Sequence, residues 1–223
     1  MTPVSGPKDN SAADGRRARS ENSRAKIVAA MLHLVGKGDI APSAARVAET
    51  AGVGLRSVFR HFADMDTLYS EMSQVIEAQV LPMALKPLTG ASWRDRLLEI
   101  TQRRALVFEA ILPFRISANI KRFQSEFLMQ DYRRMLRLER SSLEAVLPPH
   151  VLADTTLVDA LNVPLSFQTW RLLRHDQELT IAEARAVVVR LIDPRPYRRL
   201  SRPAVRVDQP CGARRLSTSR TPI

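Results

Sequence analysis

The stretch from Ser43 to Phe62, SAARVAETAGVGLRSVFRHF, holds two short apolar stripes of helical period with a glycine-bearing break between them. Ala44, Val47, Ala48 and Ala51 recur at three- and four-residue spacing, so they line one side of a helix over 44–51. Leu55, Val58, Phe59 and Phe62 repeat that spacing and, at about 100° per residue, fall within an arc of about 100°, with Ser57 and Arg60 pointing the other way. Ser43 stands where a side-chain oxygen can cap the first helix. Gly52 directly follows it, where a left-handed backbone costs glycine nothing. The stretch therefore predicts helix, tight turn, helix, with small side chains on the first helix permitting close approach.

The rest of the chain extends the same period. Of 223 residues 45% are apolar, enough for a real core, and only 5% are aromatic, which favours helix over sheet. Residues 1–20 lack periodicity and are expected to form a flexible arm, its end made basic by Arg16, Arg17 and Arg19. A first helix is expected over 21–35, with Ile27, Met31, Leu34 and Val35 on one stripe and the Gly36-Lys37-Gly38 break at its end. Beyond Leu68 the chain reads as helical to about residue 193, with breaks expected at Leu81-Pro82, Lys86-Pro87, Leu112-Pro113, Leu147-Pro148-Pro149 and near Gln177. Leu97, Ile100, Ala105, Phe108 and Ile111 mark one bundle helix; Phe127, Leu128, Met135, Leu138, Leu143 and Val146 mark another. The fold class is all-α: a three-helix N-terminal domain over 21–72 (motif 43–62), then a helical bundle over 73–193, then a tail over 194–223.

Several function classes find little support. No segment approaches the roughly 18 apolar residues needed to span a bilayer, and the N-terminus lacks the apolar core of a secretion signal, so a cytoplasmic protein without membrane contact is expected. Cys211 is the sole cysteine, and His33, His61, His150 and His175 are scattered without metal-ligand spacing. Gly52-Val53-Gly54 lacks a third glycine, a preceding strand and a phosphate-loop lysine, and no G-x-S-x-G occurs. No cofactor, metal or catalytic set is expected; a small all-helical enzyme is a remote alternative. The net charge of +11 invites a nucleic-acid reading, but the tail 194–223 alone holds eight arginines against one aspartate. It is expected to be disordered, either an accessory DNA arm or sequence without a role; a sequence-independent nucleic-acid binder using it is a second alternative.

SAARVAETAGVGLRSVFRHFADMDTLY, with the helix before it, closely resembles the DNA-binding domain of TetR-type bacterial transcriptional repressors. The matching features are Val47-Ala48, Ala51-Gly52-Val53 at the turn, the aromatic-x-x-Phe of Phe59 to Phe62, and Leu68, all within residues 22–72. The resemblance implies that Ser43 and Ala44 approach phosphates and that Leu55, Arg56, Ser57, Phe59, Arg60 and His61 lie on or near the recognition surface. On the helix wheel Arg56, Ser57 and Arg60 are the candidates for base edges. Phe59 occupies a position where the family usually has Tyr; without the hydroxyl, a core aromatic is the favoured reading. His61 reads as a phosphate contact or a plain surface residue. Gly54, at the start of the second motif helix, departs from the family's Ser or Thr, a change worth only a few tenths of a kcal/mol in capping. Met65 replaces a commonly DNA-touching Lys, which Asp64, capping the next helix, does not restore; the basic arm around Arg16 to Arg24 is a candidate replacement.

The segment 156–175 carries two apolar lines, Leu157, Leu161, Leu165 and Leu172, and Val163, Phe167, Trp170 and Leu173, with Pro164 predicting a kink. Such a helix needs two partners. One is its own core; the other is a second subunit, with Ile181, Ala184, Val188, Leu191 and Ile192 joining Leu157, Leu161, Leu165 and Leu172 in the dimer interface, or else the helix is fully buried in a monomer. The family's four-helix pairing implies the former. It also implies that residues 73–193 bind an unidentified small-molecule effector, for which Phe108, Phe114, Arg115, Asn119, Phe123, Phe127 and Trp170 are candidate contacts. The implied partner is a palindromic operator in double-stranded DNA, bound by a homodimer and released by the effector.

Overall fold

The computed structural model describes residues 11–192, and among these the secondary structure is helical throughout. Ten helices follow in order: α1 (Ser11–Gly36), α2 (Ala44–Ala51), α3 (Leu55–His61), α4 (Met65–Ala84), α5 (Trp93–Lys121), α6 (Glu126–Glu144), α7 (Pro149–Leu152), α8 (Thr155–Asn162), α9 (Phe167–Arg171) and α10 (Ile181–Ile192). A π-turn over Leu172–Asp176 continues α9. The tail 194–223 and the first ten residues, on which part of the sequence reading falls, lie outside the described residues.

The short helices at the N-terminal end are where local signals suffice. Ser43 Oγ accepts from the Arg46 amide at 3.2 Å, as a cap should. Gly52 sits at φ 65° and ψ 35°, and the Gly52 and Val53 amides donate to the Glu49 and Ala48 carbonyls at 3.1 and 3.0 Å, closing α2. Asp64 Oδ1 accepts from the Thr67 amide and hydroxyl, both at 2.8 Å, and opens α4. Those hydrogen bonds hold the Asp64 carboxyl below its usual pKa.

Four expectations about element limits are corrected. The first helix already includes Ser11, where a start near residue 21 was expected, so residues 11–20 belong to α1 and not to a flexible arm. Pro113 lies inside the 29-residue α5 and does not break it. The roughly 3 kcal/mol that an interior proline costs is outweighed there by buried Leu97, Ile100, Phe108 and Ile111 before it and Ser117 after it. Pro82 similarly lies in the last turn of α4, which ends at Ala84. Pro164 does more than kink: α8 stops at Asn162, and Ser166 caps a new helix by accepting from the Thr169 amide at 3.3 Å.

One core joins the chain from α1 to α10. Ile27, Met31 and Val35 of α1 meet Val47, Val58, Phe62, Leu68 and Met72; further along, Phe108, Phe167 and Trp170 continue the same cluster, with the Phe108 and Phe167 rings edge to face at 5.5 Å. The boundary expected at 72/73 falls inside α4, so the two parts share a helix and belong to one compact unit. Polar links reinforce that helix: Tyr69 and Ser117 meet at 3.2 Å in the interior, Ser125 Oγ donates to Asp66 at 2.6 Å, and Arg134 pairs with Glu77 at 2.8 Å.

Candidate nucleic-acid interface

The face of α3 that is held and the face that is free differ from the sequence expectation by a small rotation. Val58 and Phe62 are each 1% exposed, but Leu55 and Phe59 are 45% and 52% exposed. Only half of the expected apolar stripe is therefore buried, and the reading of Phe59 as a core aromatic is corrected. The physical reason is where the helix stops. Phe62 follows the seven-residue α3 in extended backbone at φ −130° and ψ 118°, so it reaches the core by the turn of the chain and not by helical period. Val58 is the buried residue of the helix itself, and Leu55 and Phe59 are left on the free flank. Ser57, expected opposite the buried stripe, is half-buried, while Arg56 and Arg60 are exposed. Among the described residues, neither arginine has a hydrogen-bond or ion-pair partner.

What holds the helix at that angle is Arg24, which was expected to belong to a basic arm. Its Nε donates to both Glu71 carboxylate oxygens, at 2.8 and 3.0 Å, and its Nη1 donates to the His61 carbonyl at 2.5 Å. The guanidinium also lies 4.5 Å from the centre of the Phe62 ring. One side chain thus ties α1 to α4 and to the last carbonyl of α3. A single arginine on the polar side of a stripe reads as a surface charge, so nothing in the sequence marked it. His61 is likewise reassigned: its Nε2 is buried without a hydrogen-bond partner, and burial with Arg60 and Arg24 nearby lowers its pKa below the ordinary 6.5.

Ser43 and Gly54 are exposed at the starts of α2 and α3, Ala44 is half-buried, and Gly54 caps α3 without a side-chain hydrogen bond. Arg46 forms an exposed pair with Glu49 at 3.3 Å. Arg56 and Arg60 are then exposed cations on the outward face with no partner among the described residues, flanked by Leu55 and Phe59.

The candidate effector contacts separate. Phe108 and Trp170 border an interior space of about 10 Å³, room for one water, together with Thr101 and Arg104. Phe123 is 74% exposed beside an open groove of about 370 Å³ lined also by Arg122, Met129 and Arg133. Phe114 and Phe127 pack partly buried on the core. Asn119 is half-buried, and its carbonyl accepts from Arg122 at 3.0 Å. Arg115 is already engaged: it lies 3.6 Å from Glu139 and over the Phe167 ring at 4.7 Å. Arg104, which the sequence did not single out, is buried beside it and donates to the Leu165 carbonyl and Ser142 hydroxyl, both at 2.8 Å. Burial lowers the Arg104 pKa to about 10 against the attraction of Glu139, and burial raises that of Glu139 against the attraction of Arg115 first and Arg104 second. Among the described residues no group of three or more His, Cys, Asp or Glu is placed to hold a metal.

The expected dimer residues also divide. Leu161, Leu165 and Val188 are buried in the chain's own core and are corrected as interface residues. Leu157, Leu172, Ile181 and Leu191 are exposed, Leu191 by 61%, and Val163 and Val187 join them. Ala184 and Ile192 are buried. No helix is long and apolar enough to cross a membrane, again among the described residues.

No known family model, no curated protein and no solved structure matches the chain.

Proposed function

We propose that the chain is a sequence-specific DNA-binding transcriptional regulator of the TetR type, acting as a dimeric repressor that a small-molecule effector releases from a palindromic operator. The observation that carries this reading is α3 itself: Val58 and Phe62 pin one side, Arg24 ties its end, and Arg56 and Arg60 are exposed with no hydrogen-bond or ion-pair partner among the described residues. An arginine that donates two hydrogen bonds to guanine O6 and N7 discriminates by about 1–3 kcal/mol, and two such residues at i and i+4 reach the same groove. The helix before α3 ends in a left-handed glycine, the connection that a groove-entering second helix requires.

The exposed apolar residues of α8 to α10, Leu157, Leu172, Ile181 and Leu191, support self-association, and a two-fold pair of α3 helices reads half-sites about 34–36 Å apart. Release follows if the effector binds better to a bundle conformation in which the pair is wrongly spaced. The contacts Ser125 to Asp66 and Arg134 to Glu77 tie α6 to α4 and supply a path for that change.

The test is selection of duplexes from a random pool by the full-length protein, repeated with Arg56→Ala and Arg60→Ala. A recovered inverted repeat, with a changed or lost preference in the variants, supports the reading. Retention without sequence preference that survives both variants contradicts it and favours the arginine-rich tail as the binding element.

A further inference from the structure

The outward face of α3 is half apolar, and arginine contacts to guanine do not account for that half. Leu55 and Phe59 stand four residues apart on one flank, both about half exposed, next to Arg56 and Arg60. A helix of seven residues thus gives four of them to a surface on which two aliphatic or aromatic groups sit beside two exposed cations that have no partner among the described residues. An apolar protein groove would take the first pair and strand the second away from water. A plain anionic surface would take the second pair and leave the first in solvent. The major groove of duplex DNA satisfies both: its rims are phosphate, its floor offers guanine acceptors, and the apolar group on that floor is the C5-methyl of thymine.

Resting on the DNA-binding reading above, we infer that Leu55 and Phe59 read thymine methyl groups. Phe59, having no hydroxyl, cannot bond a phosphate oxygen, and its ring is left with apolar contact alone. Residues i and i+4 are about 6 Å apart along a helix axis, so the two side chains reach methyls about two base steps apart. Each half-site then carries thymines interleaved with the guanines that Arg56 and Arg60 contact. Recognition of thymine is a matter of one methyl group, so removing that methyl and nothing else is the direct probe.

The experiment takes the duplex recovered by the full-length protein from a random pool and replaces each thymine of the half-site in turn by deoxyuridine, which lacks only the methyl. The expected result is two positions per half-site at which the replacement weakens binding about fourfold, the worth of one buried methyl-sized group. Phe59→Ala removes the sensitivity at one of these positions and Leu55→Ala at the other, with helix content unchanged because neither side chain supports the core. Equal binding of thymine and deoxyuridine duplexes at every position, which needs no variant to measure, overturns the inference and leaves the regulator reading standing. Methyl sensitivity that survives both alanine variants overturns it equally. A pool that returns no preferred sequence overturns the regulator reading, and this inference with it.

Discussion

Helix α3 and the group formed by α8 to α10 both leave apolar side chains in solvent, and their surroundings differ. On α3, Leu55 and Phe59 alternate with Arg56 and Arg60, cations without partners among the described residues. On α10, Ile181, Val187 and Leu191 are separated by alanines and valines as well as by Glu183, Arg185 and Arg190, and Leu157 within α8 and Val163 at its end are exposed beside them in sequence. Exposure alone does not name a partner; the neighbouring charge does. An apolar residue between free cations suits a polyanion with apolar spots, and one among small apolar residues suits another apolar face.

Phe62→Ala removes a fully buried ring and the seat of the Arg24 guanidinium, and a loss of about 3–5 kcal/mol in denaturant unfolding is expected, with α3 losing its fixed face. Phe59→Ala, three residues away, is expected to change stability by no more than about 0.5 kcal/mol. Equal effects would mean that the two aromatics share one environment. The next effect is on binding: Arg56→Ala and Arg60→Ala are each expected to reduce operator discrimination by about 1–3 kcal/mol in gel-shift titrations while leaving the unfolding midpoint in place.

On the other side of the comparison, Leu191→Asp places a charge on the exposed face of α10, and sedimentation is expected to show a shift from dimer toward monomer with the fold retained. An unchanged dimer would move the interface elsewhere. Arg24→Ala separates holding from touching: its pair with Glu71 is partly exposed, so a stability loss of about 1 kcal/mol is expected, with weaker binding caused by a loosened α3. The smallest effect concerns His61. Its pKa lies below 6.5 in the folded chain, so the unfolded chain takes up the proton first and stability declines as pH falls below about 6.5. His61→Gln is expected to flatten that decline in unfolding curves collected between about pH 5 and pH 7.

Legibility from sequence followed the range of the interaction that decides each feature. The limits of α2 and its caps, Ser43 and Gly52, depend on hydrogen bonds within five residues and were read correctly. The rotation of α3 depends on how α1 and α4 seat Val58 and Phe62, so wheel geometry placed Arg60 rightly and Phe59 wrongly. The prolines divide by surrounding burial: Pro113 sits within a long packed helix that tolerates it, and Pro164 sits where Ser166 can cap a fresh start. Arg24 and Arg104 act through partners 35 to 61 residues away and left no local trace.

The claim beneath the rest is that α3 enters duplex DNA by its arginine face as one of a two-fold pair. A cleavage reagent fixed on that face reads this directly: an iron chelate attached at Arg60→Cys, with Cys211 replaced by Ser, on the duplex selected by the protein. The result expected is two symmetric clusters of strand scission inside the inverted repeat, their centres one helical turn of about 34–36 Å or a simple multiple apart. Scission spread evenly along the duplex, or confined to one cluster at saturating protein, would contradict it.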